Sequence, residues 1–175
     1  MKQIQLPLSA RDIAILHAGE TVTLYGEAVI ARDAAHKRLY AMLQTGADLP
    51  FSLSGACIYY AGPCPAAPGE VIGPCGPTTS GRVDAYTPAL IEAGLSAMIG
   101  KGARAPEVVH AMRGRAVYFA ATGGAAILLS SHIVAAEVIA FADLEAEAVR
   151  RVTLAGMPVI VAIDAQGNSA LWPIA

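Results

Sequence analysis

Residues 76–124 read GPTTSGRVDAYTPALIEAGLSAMIGKGARAPEVVHAMRGRAVYFAATGG, and their alternation decides the fold. A glycine-framed polar loop, Gly76 to Arg82, runs into a helical pattern over Val83 to Ala93, with Pro88 near a helix start or break and Gly94 as the stop. Ala97 to Gly100 reads as a short apolar strand, Ala105 to Met112 as a helix and Ala116 to Ala121 as a second strand. Gly123-Gly124 then opens a small-residue helix that runs to Ser130. Short strands separated by helical spans are the mark of crossover connections in an α/β domain.

Outward from this stretch the pattern continues. Upstream, Cys57 to Ala61 is a buried strand, followed by a Pro- and Gly-dense segment that reads as an ordered loop. Thr21 to Ile30 is a strand, Asp33 to Gln44 a helix stopped by Gly46, and Asp12 to Leu16 a short helix with Ser9 as its cap. Downstream, Val134 to Phe141, Arg151 to Leu154 and Val159 to Asp164 read as strands, with a helical stretch from Leu144 to Val149. A turn at Ala165 to Asn168 makes a final hairpin with Ser169 to Trp172. Crossovers and hairpins together predict an α/β fold with a mixed sheet, read as one domain over residues 1–175 without internal repeats.

Hydrophobic residues make up 55% of the 175 and charged residues only 15%, enough for a core with apolar surface left for a protein partner. A net charge of -2 excludes an electrostatic case for nucleic acid or an anionic membrane. Arg11 and Asp12 interrupt the N-terminal apolar run before a signal peptide forms, and the apolar run from Ala116 to Leu129 is too short to span a bilayer. The expectation is a soluble, cytoplasmic protein. Cys57, Cys64 and Cys75 lack C-x-x-C spacing, so they read as buried or incidental thiols and neither as metal ligands nor as a disulfide framework.

Three polar stretches stand out in a chain this sparing of charge. In Gly76 to Arg82, Thr78, Thr79 and Ser80 sit beside Gly81, where backbone N–H groups and hydroxyls attract a carboxylate and Arg82 can grip it bidentately. In Arg32 to Arg38, Arg32 ends an apolar strand and points across the sheet edge. Asp33 suits a helix cap there, and His36 either contacts a ligand or bonds a neighbouring loop. Lys101 between two glycines at a strand end is a placed cation. There is no phosphate-loop, dinucleotide or nucleophile-elbow motif, so the residues by themselves point to binding of a small anion such as a di-acid.

GPTTSGRVDAYTPALIEAGLSAMIGKG, residues 76–102, resembles the signature of the C-terminal domain of class I fumarases. ARDAAHKR at Ala31, GGAAILL at Gly123, AEVIAF at Ala136 and PVIVAIDAQGN at Pro158 follow in the family's order. The resemblance implies a swivelling β/β/α domain and a hydro-lyase whose [4Fe–4S] cluster is held by three cysteines of a larger α subunit or an N-terminal domain, with no metal ligand in this chain. It implies substrate arginines at Arg32 and Arg82, a catalytic threonine at Thr78 and a catalytic lysine at Lys101. The reaction implied is β-elimination of water from a 2-hydroxy di-acid, fumarate favoured over tartrate, in an α2β2 complex or homodimer. A binding or assembly module without catalysis is the alternative. Val83 stands where the family has Met, and Ser130-Ser131-His132 lacks a lysine that often follows this helix.

Overall fold

Pairing begins in the first residues. The structure, a computed structural model, describes residues 1–171. Lys2–Leu6 form β1, Ala10–Ile15 α1, Thr21–Ile30 β2, Asp33–Thr45 α2 and Cys57–Tyr59 β3. Thr87–Glu92 form α3, Ala97–Gly100 β4, Pro106–Met112 α4, Val117–Ala120 β5 and Ala126–Ser130 α5. Ile133–Ala140 make β6 and Val149–Ile163 make β7, with a 3₁₀ turn at Ser80–Val83 and a kinked 3₁₀ segment at Ala142–Glu147.

Local chemistry sets most of these boundaries. Ser9 and Asp12 form a capping box at α1, the Asp12 N–H reaching Ser9 Oγ at 3.1 Å and the Ser9 N–H reaching Asp12 Oδ2 at 2.9 Å. Gly46 closes α2 at φ 67°, a left-handed conformation that glycine adopts at little cost. Pro88 and Pro106 sit in the first turns of α3 and α4, where a missing N–H breaks no helical bond.

Strands β1 to β5 pair in sequence order and in parallel. β7 returns antiparallel to both β5 and β2, so the sheet curls into a partly closed barrel, with β6 outside it on β7. The mixed α/β fold expected from the alternation is therefore present. Side chains alternate between two cores with period two. Tyr59, Ile99, Phe119 and Val161 fill the side enclosed by the curled sheet, and Ile58, Tyr60, Met98 and Tyr118 lie under α2, α3 and α4.

Three local expectations are corrected and one strand was overlooked. β1 went unread although Gln3-Ile4-Gln5-Leu6 alternates polar and apolar, with Ile4 and Leu6 buried against β2. The strands expected at 151–154 and 159–164 are one strand, β7. Gly156, at φ 76°, is a bulge between the pairs Leu24–Met157 and Tyr25–Ala155, so Gly156 and Pro158 bend the strand without ending it. The helix expected over 144–149 is a 3₁₀ turn broken at Glu145, φ 53°. Over Val83 to Ala93 a 3₁₀ turn precedes a shorter α3. Ser169 bridges back to Ile163, whereas Trp172 of the expected hairpin lies outside the described residues. No helix among the described residues is long and apolar enough to cross a membrane.

Candidate functional site

The parallel strands β2 to β5 all run to one sheet edge, where α/β folds gather polar side chains. The polar loop of residues 77–80 is stitched into that edge as a short extra strand. Thr78 donates to the Tyr60 carbonyl twice, from its N–H at 2.7 Å and from Oγ1 at 3.2 Å. Thr79 forms a parallel bridge with Lys101, the Ser80 N–H reaching the Lys101 carbonyl at 2.9 Å and the Lys101 N–H the Thr78 carbonyl at 3.3 Å. Gly100 makes this approach possible, since a Cβ there would fall on Ser80 Oγ and the Tyr60 ring. Backbone geometry thus brings Thr78, Thr79 and Lys101 together.

Ion pairs bring the two arginines together. Arg32 precedes the first turn of α2, its Nε 3.3 Å from Asp33 Oδ2 and 3.2 Å from Glu147 Oε1. Arg82 places Nε 3.0 Å from the other Asp33 oxygen. Asp33 therefore bridges Arg32 and Arg82, and both cations stay partly open to solvent, at 26% and 58% of side-chain surface. Gly62 lies flat against Arg32, where a Cβ would come within 2.8 Å of Nη1. Lys101 is exposed, has no carboxylate partner among the described residues, and lines a cavity of about 280 Å³ with Thr122 and Gly123. Thr79 and Gly81 are exposed and Thr78 half-buried.

His36 sits beneath this edge rather than in it. Its ring is fully buried on the α2 face that carries Ala35 and Leu39, with the Tyr60 ring edge-on at 5.3 Å. The Arg32 carbonyl can only accept, so Nδ1 carries the proton and donates to it at 2.9 Å. Nε2 has no hydrogen-bond partner among the described residues. The buried imidazole therefore supports Arg32 from below and does not reach the open edge.

Burial, reinforced by the Arg104 charge and opposed by the Arg32 carbonyl, lowers the His36 pKa from 6.5 to about 4. Between those values the unfolded chain binds a proton that the folded chain refuses. The resulting stability is complete above pH 6.5, is lost as pH falls toward 4, and amounts to about 3 kcal/mol. His36→Gln should flatten the decline in melting temperature between pH 6.5 and 4.5. An unaltered slope would show that His36 is not the group responsible.

A buried charge that sequence reasoning missed lies behind the loop. Arg104 has no exposed side-chain surface and pairs with Asp84, Nε to Oδ1 at 2.7 Å, while Asp84 Oδ2 accepts the Ala105 N–H at 2.6 Å. The available signal was weak, an arginine among small residues just before the α4 proline.

The cysteines do not suit a cluster. Cys57 and Cys75 are buried, with thiols pushed up by desolvation, and Cys64 is exposed. No three metal-binding side chains are grouped among the described residues.

The family model "Fumarase C-terminus" matches residues 1–172. Fumarate hydratase 2 of Leishmania major is 35% identical over 86% of this chain and 27% of its own length. The anaerobic class I fumarate hydratase of Escherichia coli (strain K12) is 33% identical over 96% of this chain and 30% of its own length. The chain thus spans less than a third of these relatives. A Methanocaldococcus jannaschii protein named as an L(+)-tartrate dehydratase subunit beta is 35% identical over 93% of this chain and 87% of its own. The chain therefore belongs to the fumarase C-terminus family.

Proposed function

We propose that this chain is the β part of an iron–sulfur hydro-lyase that interconverts fumarate and malate, the [4Fe–4S] cluster being carried by an α partner. The observation that supports it best is the single edge shared by the Asp33-bridged pair Arg32 and Arg82 and the backbone-paired Thr78 and Lys101. Two arginines and a lysine suit a substrate with two carboxylates, and the three thiols of this chain, two of them buried, form no group of three metal-binding side chains among the described residues. The assembly is a cytoplasmic α2β2 complex or homodimer.

In this reading Arg82 and Arg32 hold the substrate carboxylates, with the Thr79 hydroxyl and the Gly81 backbone completing the grip. Thr78 Oγ1, having first released its own proton to solvent, takes the proton on the carbon beside a carboxylate and returns to the neutral hydroxyl. Threonine is a poor base alone, and the nearby cations Lys101 and Arg82 lower the cost of the oxyanion that this role requires. His36 acts from beneath by holding the Arg32 carbonyl, so it positions the arginine without touching substrate.

Gly81 offers a direct check on where the ligand lies. Its φ is not left-handed, and a Cβ there would meet nothing of this chain closer than 3.6 Å. Stability does not require glycine at this position, and close approach of a ligand does. Gly81→Ala should leave the melting temperature unchanged or slightly raised while increasing KM several-fold. An unchanged KM would remove Gly81 from the site.

A tartrate substrate is the second reading, supported by the nearly full-length match to the M. jannaschii protein. Assaying the chain with its cluster-bearing partner on malate, fumarate and L-tartrate separates the two. The first reading requires kcat/KM for fumarate to exceed that for tartrate, and the reverse order selects the second. Turnover of none of them sinks both.

A further inference from the structure

Beside the segment of Arg32 and Asp33, three backbone segments carry the site of the proposed function: 59–61, 77–84 and 100–102. One buried side chain touches the supports of all three. Arg104 Nη2 donates to Thr87 Oγ1 at 3.0 Å and lies 3.5 Å from the Tyr60 hydroxyl, with Nη1 3.5 Å from Met98 Sδ. Its guanidinium carbon stands 5.2 Å from the Tyr60 ring centroid and 4.9 Å from that of Tyr118. Its Nε holds Asp84, the residue that ends the 3₁₀ turn bearing Arg82.

Each of these contacts leads to a site residue. The Tyr60 carbonyl accepts both hydrogen bonds from Thr78. The Tyr118 hydroxyl donates to the Gly102 carbonyl at 2.9 Å, so it accepts from Ser80 Oγ at 2.8 Å. Tyr118 thereby ties the residue after Lys101 to the segment that holds Thr78. An ion pair that only stabilised the fold would need Asp84 alone. A guanidinium fork that reaches Asp84 and Thr87 and lies against two tyrosines fixes several directions at once, which an ammonium cannot do.

We infer that Arg104 is a positioning residue for the reaction, a buried post that sets Thr78 and Lys101 in register with each other. The inference rests on the reading of Thr78 as the residue that moves the proton. Arg32 and Arg82 are tied to each other through Asp33, and the post reaches Arg82 only indirectly, through Asp84 at the end of its turn. Loss of Arg104 geometry should therefore reach the chemical step before it reaches substrate binding.

The test compares the parent chain, Arg104→Lys, Tyr118→Phe and Thr78→Val, each assembled with the cluster-bearing partner. Amide exchange is measured alongside on each chain alone. Arg104→Lys keeps the charge and loses the fork. It should cut kcat at least tenfold with KM within twofold, and should speed exchange at the Thr78, Ser80 and Lys101 amides while leaving α2 unaffected. Tyr118→Phe removes only the hydroxyl that joins Ser80 to Gly102, and should show the same pattern even if Arg104→Lys fails to fold.

Parent-like kcat in both folded variants, with Thr78→Val inactive, overturns the inference. If Thr78→Val itself keeps its kcat, the reading of Thr78 has failed and the exchange data alone decide. Faster exchange at those three amides then upholds Arg104 as the post, and unchanged exchange overturns it.

Discussion

Thr78→Val, assayed in the complex with the cluster-bearing partner, should lower kcat by ~10²–10⁴ and leave KM nearly unchanged. Valine matches threonine in shape and in preference for extended backbone, so the short strand at 77–80 should persist. The N–H bond from residue 78 to the Tyr60 carbonyl survives the change, and only the 3.2 Å hydroxyl bond is lost, costing about 1 kcal/mol of stability. Arg82→Lys should do the opposite, raising KM through loss of bidentate geometry while kcat falls less. A Thr78→Val enzyme with more than about a tenth of parental kcat, well short of a general base's usual ~10²-fold, would demote Thr78 to a holder of the loop. The proton would then have to move to a group on the partner.

The second large effect is on stability. Asp84→Asn should leave the Arg104 guanidinium buried without a counter-charge, because arginine does not deprotonate in this setting. Breaking such a pair from one side costs about 3–5 kcal/mol. For a chain of this size that corresponds to a fall in melting temperature of roughly 6–20 °C. The double variant Arg104→Met/Asp84→Leu should recover much of that loss, since it buries no charge. It should not recover kcat, because the tyrosines that seat Thr78 and Lys101 lose their common contact. A fall of less than about 3 °C in Asp84→Asn would mean that the pair contributes little to the fold.

Elements with strong local signals were legible in the sequence. β4 matches its reading from Ala97 to Gly100, because a fully buried parallel strand is a short unbroken apolar run. α2 and its glycine stop were equally plain, as was Ser9 at α1. β1 was legible in the alternation of Gln3, Ile4, Gln5 and Leu6 and was overlooked. Other missed features depend on distant partners: β7 continues past Gly156 because it pairs with β2 on both sides of the bulge. His36 looked like a candidate ligand contact, yet it shares a helix face with Ala35 and Leu39, and that spacing already pointed inward. Arg104 was illegible because Asp84, Tyr60 and Tyr118 are scattered along the chain and meet only when three strands are aligned. The polar loop was legible as a candidate anion site, but its strand-like pairing with Lys101 was not.

The most direct measurement is reconstitution. The purified chain is assayed for fumarate hydration and malate dehydration alone, then after anaerobic assembly with the cluster-bearing α partner that the proposed function requires. Alone it should be colourless, should take up no iron–sulfur cluster on anaerobic reconstitution and should be inactive. With the partner it should turn over both substrates. Stoichiometric iron–sulfur absorption from this chain alone, or turnover without the partner, would contradict the account and return Cys57, Cys64 and Cys75 to the active site.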